Sequence, residues 1–372
     1  MSFVPGYSQN NSFAGMHGSE KYNKLSAEEA SRKMHLEESK IKKYKKLCDI
    51  VLEGNRRRIY NEKYYNLVTE LLDWNFELYT VWNYRKVLIL KFLFKGLKEN
   101  DLKEKHQIFT EELHFVLDKL RKSPKSYWIW NHRIWCLKLD KLSDWNIEIG
   151  LTNKFLQADQ RNFHVWAYRR FIIDSMKKDD RVEQSSEAID FDEFKFTTKM
   201  INKDISNYSA WHNRSKLVIK LFTNSPSLEH ISTDEDPKML EYLRFFNGSN
   251  QFLFLKKELD LIKTAIYTDP DDSSVWFYMK WLFSDYFLTN IDMQDMINLI
   301  KDTVNAVKEL NEFELDDNEA ENKWCLIFVA YLYKRLHSIS KNEVDLEEFE
   351  SILQRLEKLD PMRRSRYKEF HM

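Results

Sequence analysis

The feature that most constrains this chain is a tryptophan followed three residues later by arginine, and it recurs along the sequence. It reads Trp82-Asn83-Tyr84-Arg85, Trp130-Asn131-His132-Arg133, Trp166-Ala167-Tyr168-Arg169 and Trp211-His212-Asn213-Arg214. A fifth copy, Trp276-Phe277-Tyr278-Met279-Lys280, carries its cation one place later. Successive tryptophans stand 48, 36, 45 and 65 residues apart. Self-similarity at such intervals is the mark of a repeat architecture, and the shortest interval accommodates two helices with short links.

The residues ahead of each tryptophan repeat as well. Seven places before stand Asn75, Ser123, Asp159, Asp204 and Asp269, all turn or cap formers. Four places before stand Leu78, Ser126, Asn162, Asn207 and Asp272, of which all but Leu78 are good N-caps. Each tryptophan is therefore predicted one turn inside a helix, B. Apolar residues at helical period, such as Leu67, Leu71 and Leu72 or Leu151, Phe155 and Leu156, predict a helix A before it. One hairpin cannot cover its own apolar face, so hairpins must stack. The predicted fold is all-α: a superhelix of helical hairpins, a tetratricopeptide-like right-handed stack with the B helices on its concave face. Trp at i and Arg at i+3 share one helix face. The tryptophans are expected in the core, whereas the arginines either clamp a neighbouring turn or face a partner. With only 7 Gly and 6 Pro, the chain is poor in the turn residues that sheets need.

Around these repeats, residues 1–18 are expected to form a disordered N-terminal extension. Residues 19–372 read as a single repeat domain centred on Trp82, Trp130, Trp166, Trp211 and Trp276, with a degenerate copy at Trp324. A charged leading helix is expected over 20–60, its Lys42–Lys46 run a solvated face. The polar stretches 177–190 and 223–237 read as surface insertions. A sixth hairpin is expected from 292–313 and 319–337, capped by 344–359.

The 58 Lys+Arg nearly balance 59 Asp+Glu, and the net charge of -1 argues against nucleic acid or an anionic membrane as partner. Cys48, Cys136 and Cys325 are scattered, outside any CxxC pair, which suits a reducing compartment. No apolar run reaches the roughly 18 residues of a membrane span, and no signal peptide is apparent. A cytoplasmic location is expected, and no cysteine near the C-terminus makes the chain a prenyl acceptor. GxGxxG, P-loop, HExxH and GxSxG motifs are missing, so no metal site or self-contained active site is expected in this chain.

One local pattern does suggest chemistry. Five places before each tryptophan stand Glu77, Lys125, Arg161, Ser206 and Asp271, so that only the second and third copies carry a cation there. Helix B starts at this point, with free N–H groups and the positive end of its dipole. Lys125 and Arg161, with Tyr127 and His164, could form a rim that attracts an anion such as a diphosphate. The other reading is solvated surface charge.

These residues resemble the protein prenyltransferase α-subunit repeat. The segments that carry the resemblance are Pro124-Lys125-Ser126-Tyr127 leading to Trp130-Asn131-His132-Arg133, Arg161-Asn162-Phe163-His164 leading to Trp166-Ala167-Tyr168-Arg169, Ser206–His212, and Thr268–Tyr278. Within the family, Arg161–His164, Glu321–Leu326 and Leu359–Arg363 are similar to the Rab geranylgeranyltransferase (type II) α subunit, as is Met16-His17-Gly18. The resemblance implies an enzyme active only as an αβ heterodimer. It would transfer geranylgeranyl from geranylgeranyl diphosphate to C-terminal cysteines of Rab GTPases presented by a Rab escort protein. It implies that zinc lies in the β subunit and no cofactor in this chain. Carried over, Lys125 and Tyr127 would be catalytic at the departing diphosphate, with Arg161, Asn162 and His164 on the diphosphate rim. Phe163 stands where many relatives have Tyr, and His17 would lie near the β-subunit zinc. Two alternatives are a farnesyl or type I α subunit and a non-catalytic tetratricopeptide-type scaffold. Against the scaffold, the spacings depart from a 34-residue period.

Overall fold

The computed structural model describes residues 27–225, 236–289 and 291–369. The expected extension 1–18, His17 within it, and most of the polar stretch 223–237 lie outside the described residues. Among the described residues the regular elements are helices and no strand occurs. Where the sequence reading treats 19–372 as one domain, the contacts cluster into two compact units, one through Ser143 and one from Asp144.

The first unit holds α1 (Ala27–Arg56), α2 (Glu62–Trp74), α3 (Tyr79–Leu88), α4 (Leu102–Lys122) and α5 (Tyr127–Leu139). Helix α3 runs on into a π turn, Ile89–Leu93. The second unit opens with α6 (Trp145–Ala158), α7 (Phe163–Met176), α8 (Ser186–Lys203), α9 (Tyr208–Thr223), α10 (Pro237–Asn247), α11 (Gln251–Thr268) and α12 (Ser273–Leu282). It continues through the short α13 (Asp285–Leu288), α14 (Met293–Asn318), α15 (Lys323–Ser340), α16 (Glu343–Leu359) and α17 (Arg364–Glu369). The A–B hairpins are α2/α3, α4/α5, α6/α7, α8/α9 and α11/α12. The 65-residue interval before Trp276 is long because α10 lies inside it.

Asn75, Ser123, Asp159, Asp204 and Asp269 are the C-caps of the five A helices. Leu78, Ser126, Asn162, Asn207 and Asp272 are the N-caps of the five B helices. The side chains of Asn162, Asn207 and Asp272 accept N–H bonds from the first turn. Ser126, expected to do the same, does not: its Oγ is buried without a hydrogen-bond partner.

The five tryptophans are buried, and each does one further thing. Its indole Nε1–H donates to the carbonyl six residues earlier: Phe76, Pro124, Gln160, Ile205 and Pro270, at 2.7–2.9 Å. That carbonyl lies in the A–B turn, where no helix partner exists for it. The tryptophan thus packs the core and closes the turn.

The four repeat arginines are buried, and three of them clamp helix to helix. Arg85 donates from Nε and Nη2 to Glu112 of α4 at 2.6 and 2.7 Å, and from Nη1 to Thr69 of α2 at 2.7 Å. Arg169 likewise bridges Thr152 of α6 and Glu193 of α8. Arg214 bridges Thr198 of α8 and Glu258 of α11. Each ties its own helix A to the next one. The glutamate is then met by the following B helix: Tyr278 Oη donates to Glu258 at 2.5 Å, and His132 Nε2 lies 2.6 Å from Glu112. Burial alone would raise the Glu112 carboxyl, but Arg85 and the hydrogen bonds from His132 and Arg85 hold it down at about 2. The fifth copy departs from this scheme. Met279 fills the inward arginine position, 3% exposed, and Lys280 points elsewhere.

Three further expectations shift. Within the described residues the leading helix runs Ala27–Arg56, so it ends before residue 60. The insertion expected over 177–190 is a loop only to Ser185, whose side chain caps α8; Asp190 is buried and pairs with Lys177. The degenerate copy is not centred on Trp324. Asn322 caps α15, which puts Trp324 at the second helical position, half-buried, and Leu326 at the buried place of a repeat tryptophan.

Candidate functional site

The residues expected to hold an anion fall in two A–B turns, one in each unit. In the first, α4 ends at Ser123 and α5 starts after Ser126, and Trp130 holds the Pro124 carbonyl between them. Lys125 is exposed in this turn. Tyr127, the first residue of α5, is 59% exposed. A cation and a phenol therefore flank the start of a 13-residue helix, where free N–H groups favour negative charge.

In the second turn, Asp159 ends α6 and its carboxylate accepts the Arg161 N–H at 3.2 Å. Asn162 is buried, and its Oδ1 accepts the N–H groups of His164 and Val165 at 3.0 and 3.3 Å. That oxygen is engaged in starting α7, so the helix start accounts for the asparagine. Arg161 is exposed and reaches Asp204, the cap of α8, at 3.4 Å. An exposed pair at that distance stabilises little and leaves the guanidinium mobile. His164 is 7% exposed, with its ring centroid 4.0 Å from that of the exposed Phe163. The second turn brings Arg161, Asn162 and His164 together; Lys125 and Tyr127 share the first.

The sequence reading missed the glutamates that set these turns. Glu112, Glu148, Glu193 and Glu258 each stand eighteen residues before a repeat tryptophan. Glu148 of α6 accepts from Tyr168 of α7 at 2.5 Å, which fixes the hairpin that presents Arg161 and His164. The constant offset was a signal available in the sequence.

Among the described residues no group of three or more His, Cys, Asp or Glu could hold a metal ion. No helix among them is long and apolar enough to cross a membrane. The two turns offer cations, a hydroxyl and helix N-termini, groups that favour an anion.

Residues 109–140, 145–176, 190–221 and 255–286 match the protein prenyltransferase alpha subunit repeat. A Candida albicans protein named geranylgeranyl transferase type-2 subunit alpha is 37% identical, over 92% of this chain and 94% of its own length. A Saccharomyces cerevisiae protein of the same name is 31% identical, over 89% and 91%. A solved structure of Candida albicans protein geranylgeranyltransferase-I, complexed with GGPP, superposes with a TM-score of 0.55 at 20% identity, covering 88% of this chain and 89% of the other; at that identity it supports the fold. On the strength of repeats, fold and near full-length relatives, this chain belongs to the protein prenyltransferase α-subunit family, among relatives that carry the type-2 name.

Proposed function

We propose that this chain is the α subunit of a heterodimeric Rab geranylgeranyltransferase. With a β subunit it would transfer geranylgeranyl from geranylgeranyl diphosphate to C-terminal cysteines of Rab GTPases presented by an escort protein. The observation that carries this reading is the type-2 name on relatives matched along more than nine-tenths of their length. The β subunit supplies the zinc that turns the acceptor thiol into a thiolate. This chain supplies positive potential. Lys125, at the start of α5, stabilises the charge that develops on the departing diphosphate, and preorganised cations are effective at that task. Tyr127 donates a hydrogen bond to the same group. Arg161 and His164 offer a guanidinium and an imidazole to an anion at the start of α7, and Asn162 holds that start in place. The reaction runs in the cytoplasm.

The test is a choice of acceptor. The co-expressed αβ pair is given labelled geranylgeranyl diphosphate with either a Rab plus escort protein or a peptide ending in a CaaX sequence. Transfer to the Rab, dependent on escort protein, is the expected result. Transfer to the CaaX peptide alone would place the chain with the type I enzymes instead.

A further inference from the structure

A cavity of about 240 Å³ opens between α12, α15, the turn Pro361–Arg363 and α17. Its walls are aromatic, with Trp276, Trp324, Phe328 and Tyr331 among them. Its charged groups are four cations, Lys280, Lys323, Arg363 and Arg366, and no carboxylate is among its lining residues. Arg363 is paired with Asp360 at 2.8 Å, and Tyr367 Oη donates to the same carboxylate at 2.9 Å. Among the described residues the other three cations have no carboxylate within salt-bridge distance, although the Lys323 charge also acts on Asp360. Lys280 lies 4.9 Å over the Tyr331 ring, and Lys323 6.0 Å over Trp324. Burial and the Arg366 charge together lower the Lys280 ammonium. Collecting like charges beside apolar walls is unfavourable until an anion arrives.

Two observations indicate what that anion belongs to. The cavity closes a run of rings on α9, α12 and α15, ending at the half-buried Trp324: Tyr208 lies 6.5 Å from Phe277, and Phe277 lies 5.8 Å from Trp324. Tyr208 and Phe277 are each more than half exposed. Contiguous exposed aromatics bordered by charge mark a protein interface rather than a small-ion site. The cavity also joins the segments Glu321–Leu326 and Leu359–Arg363, through Lys323, Trp324 and Arg363. These are two of the segments that carry the type II resemblance.

We propose that this pocket receives an acidic segment of the partner subunit that carries one bulky apolar side chain. The side chain enters between Trp276, Trp324 and Phe328, and the carboxylates meet Lys280, Lys323 and Arg366. The displaced cation of the fifth repeat thereby has a use: Met279 keeps the core and Lys280 serves the partner. This inference rests on the proposed function, which supplies the partner subunit.

The test compares three versions of the full chain binding the purified β subunit: the parent, Lys280→Glu/Arg366→Glu, and Lys263→Glu/Lys301→Glu as a control on exposed lysines of α11 and α14. Melting by circular dichroism confirms that all three fold. The pocket variant is expected to bind about tenfold more weakly or worse, with a flatter dependence of Kd on salt, while the control matches the parent. A pocket variant that binds like the parent overturns this proposal and leaves the proposed function standing. A parent that binds no β subunit overturns both. Inorganic pyrophosphate is added to the isolated chain as a further probe. If it raises the melting temperature of the parent but not of the pocket variant, and β binding is equal in both, the site serves a small anion and the proposal fails.

Discussion

Lys125 is a solvent-exposed side chain at a helix start, where an approaching anion would meet both its charge and the N-terminal end of α5. With the β subunit bound, Lys125→Ala is expected to slow single-turnover transfer on the order of 10²-fold, with αβ association unchanged. An unchanged rate would remove Lys125 from the chemistry. A second residue-scale prediction concerns stability. Burial lowers the His132 imidazole below its ordinary value of 6.5. Its Nδ1 is buried without a partner, which suits a neutral ring donating Nε2–H to Glu112. Below pH 6.5 the unfolded chain therefore binds more protons than the folded one, and stability falls as pH falls. Glu112 acts in a lower window: held at about 2 against an ordinary 4.5, it contributes stability that is lost as pH falls from 4.5 toward 2. His132→Gln is expected to flatten the decline in melting temperature that sets in below pH 6.5, and to leave the loss that Glu112 brings below pH 4.5. An unaltered slope would mean that the ring is already charged in the folded chain.

At the scale of the helices, the hairpins were largely legible. Trp82, Trp130, Trp166, Trp211 and Trp276 mark the B helices, and the residues four and seven places before them are the caps at which the structure ends one helix and starts the next. Local chemistry determines those positions, so local reading finds them. What joins one hairpin to the next was not found, because it depends on contacts across sequence. Arg214 and Glu258 are 44 residues apart and both fully buried. Glu258 also accepts from Tyr242 and Tyr278. Removing it would strand a buried guanidinium, so Glu258→Ala should destabilise the chain by about 3–5 kcal/mol in denaturant unfolding. A loss under about 1 kcal/mol, the range of exposed pairs, would show that the lock is open to water. The π turn after α3, the extra helix α10 and the register of α15 were equally hidden. Trp324 looked like a repeat tryptophan by residue type, but the cap at Asn322 fixes the register in which Leu326 takes that place. Of the candidate site, the cations and the turn were legible; the engagement of Asn162 in starting α7 was visible only as a cap, which is what it is.

For the whole molecule, the proposed function has this chain contribute charge and a docking surface while the β subunit activates the thiol. Its exposed rings and cationic cavity are where the proposal seats the partner subunit. The direct test is reconstitution: geranylgeranyl transfer to a Rab, with escort protein present, is measured for this chain alone, for the β subunit alone and for the two together. The account predicts transfer only by the pair. Transfer by this chain alone, or by the β subunit at the same rate without it, would contradict it.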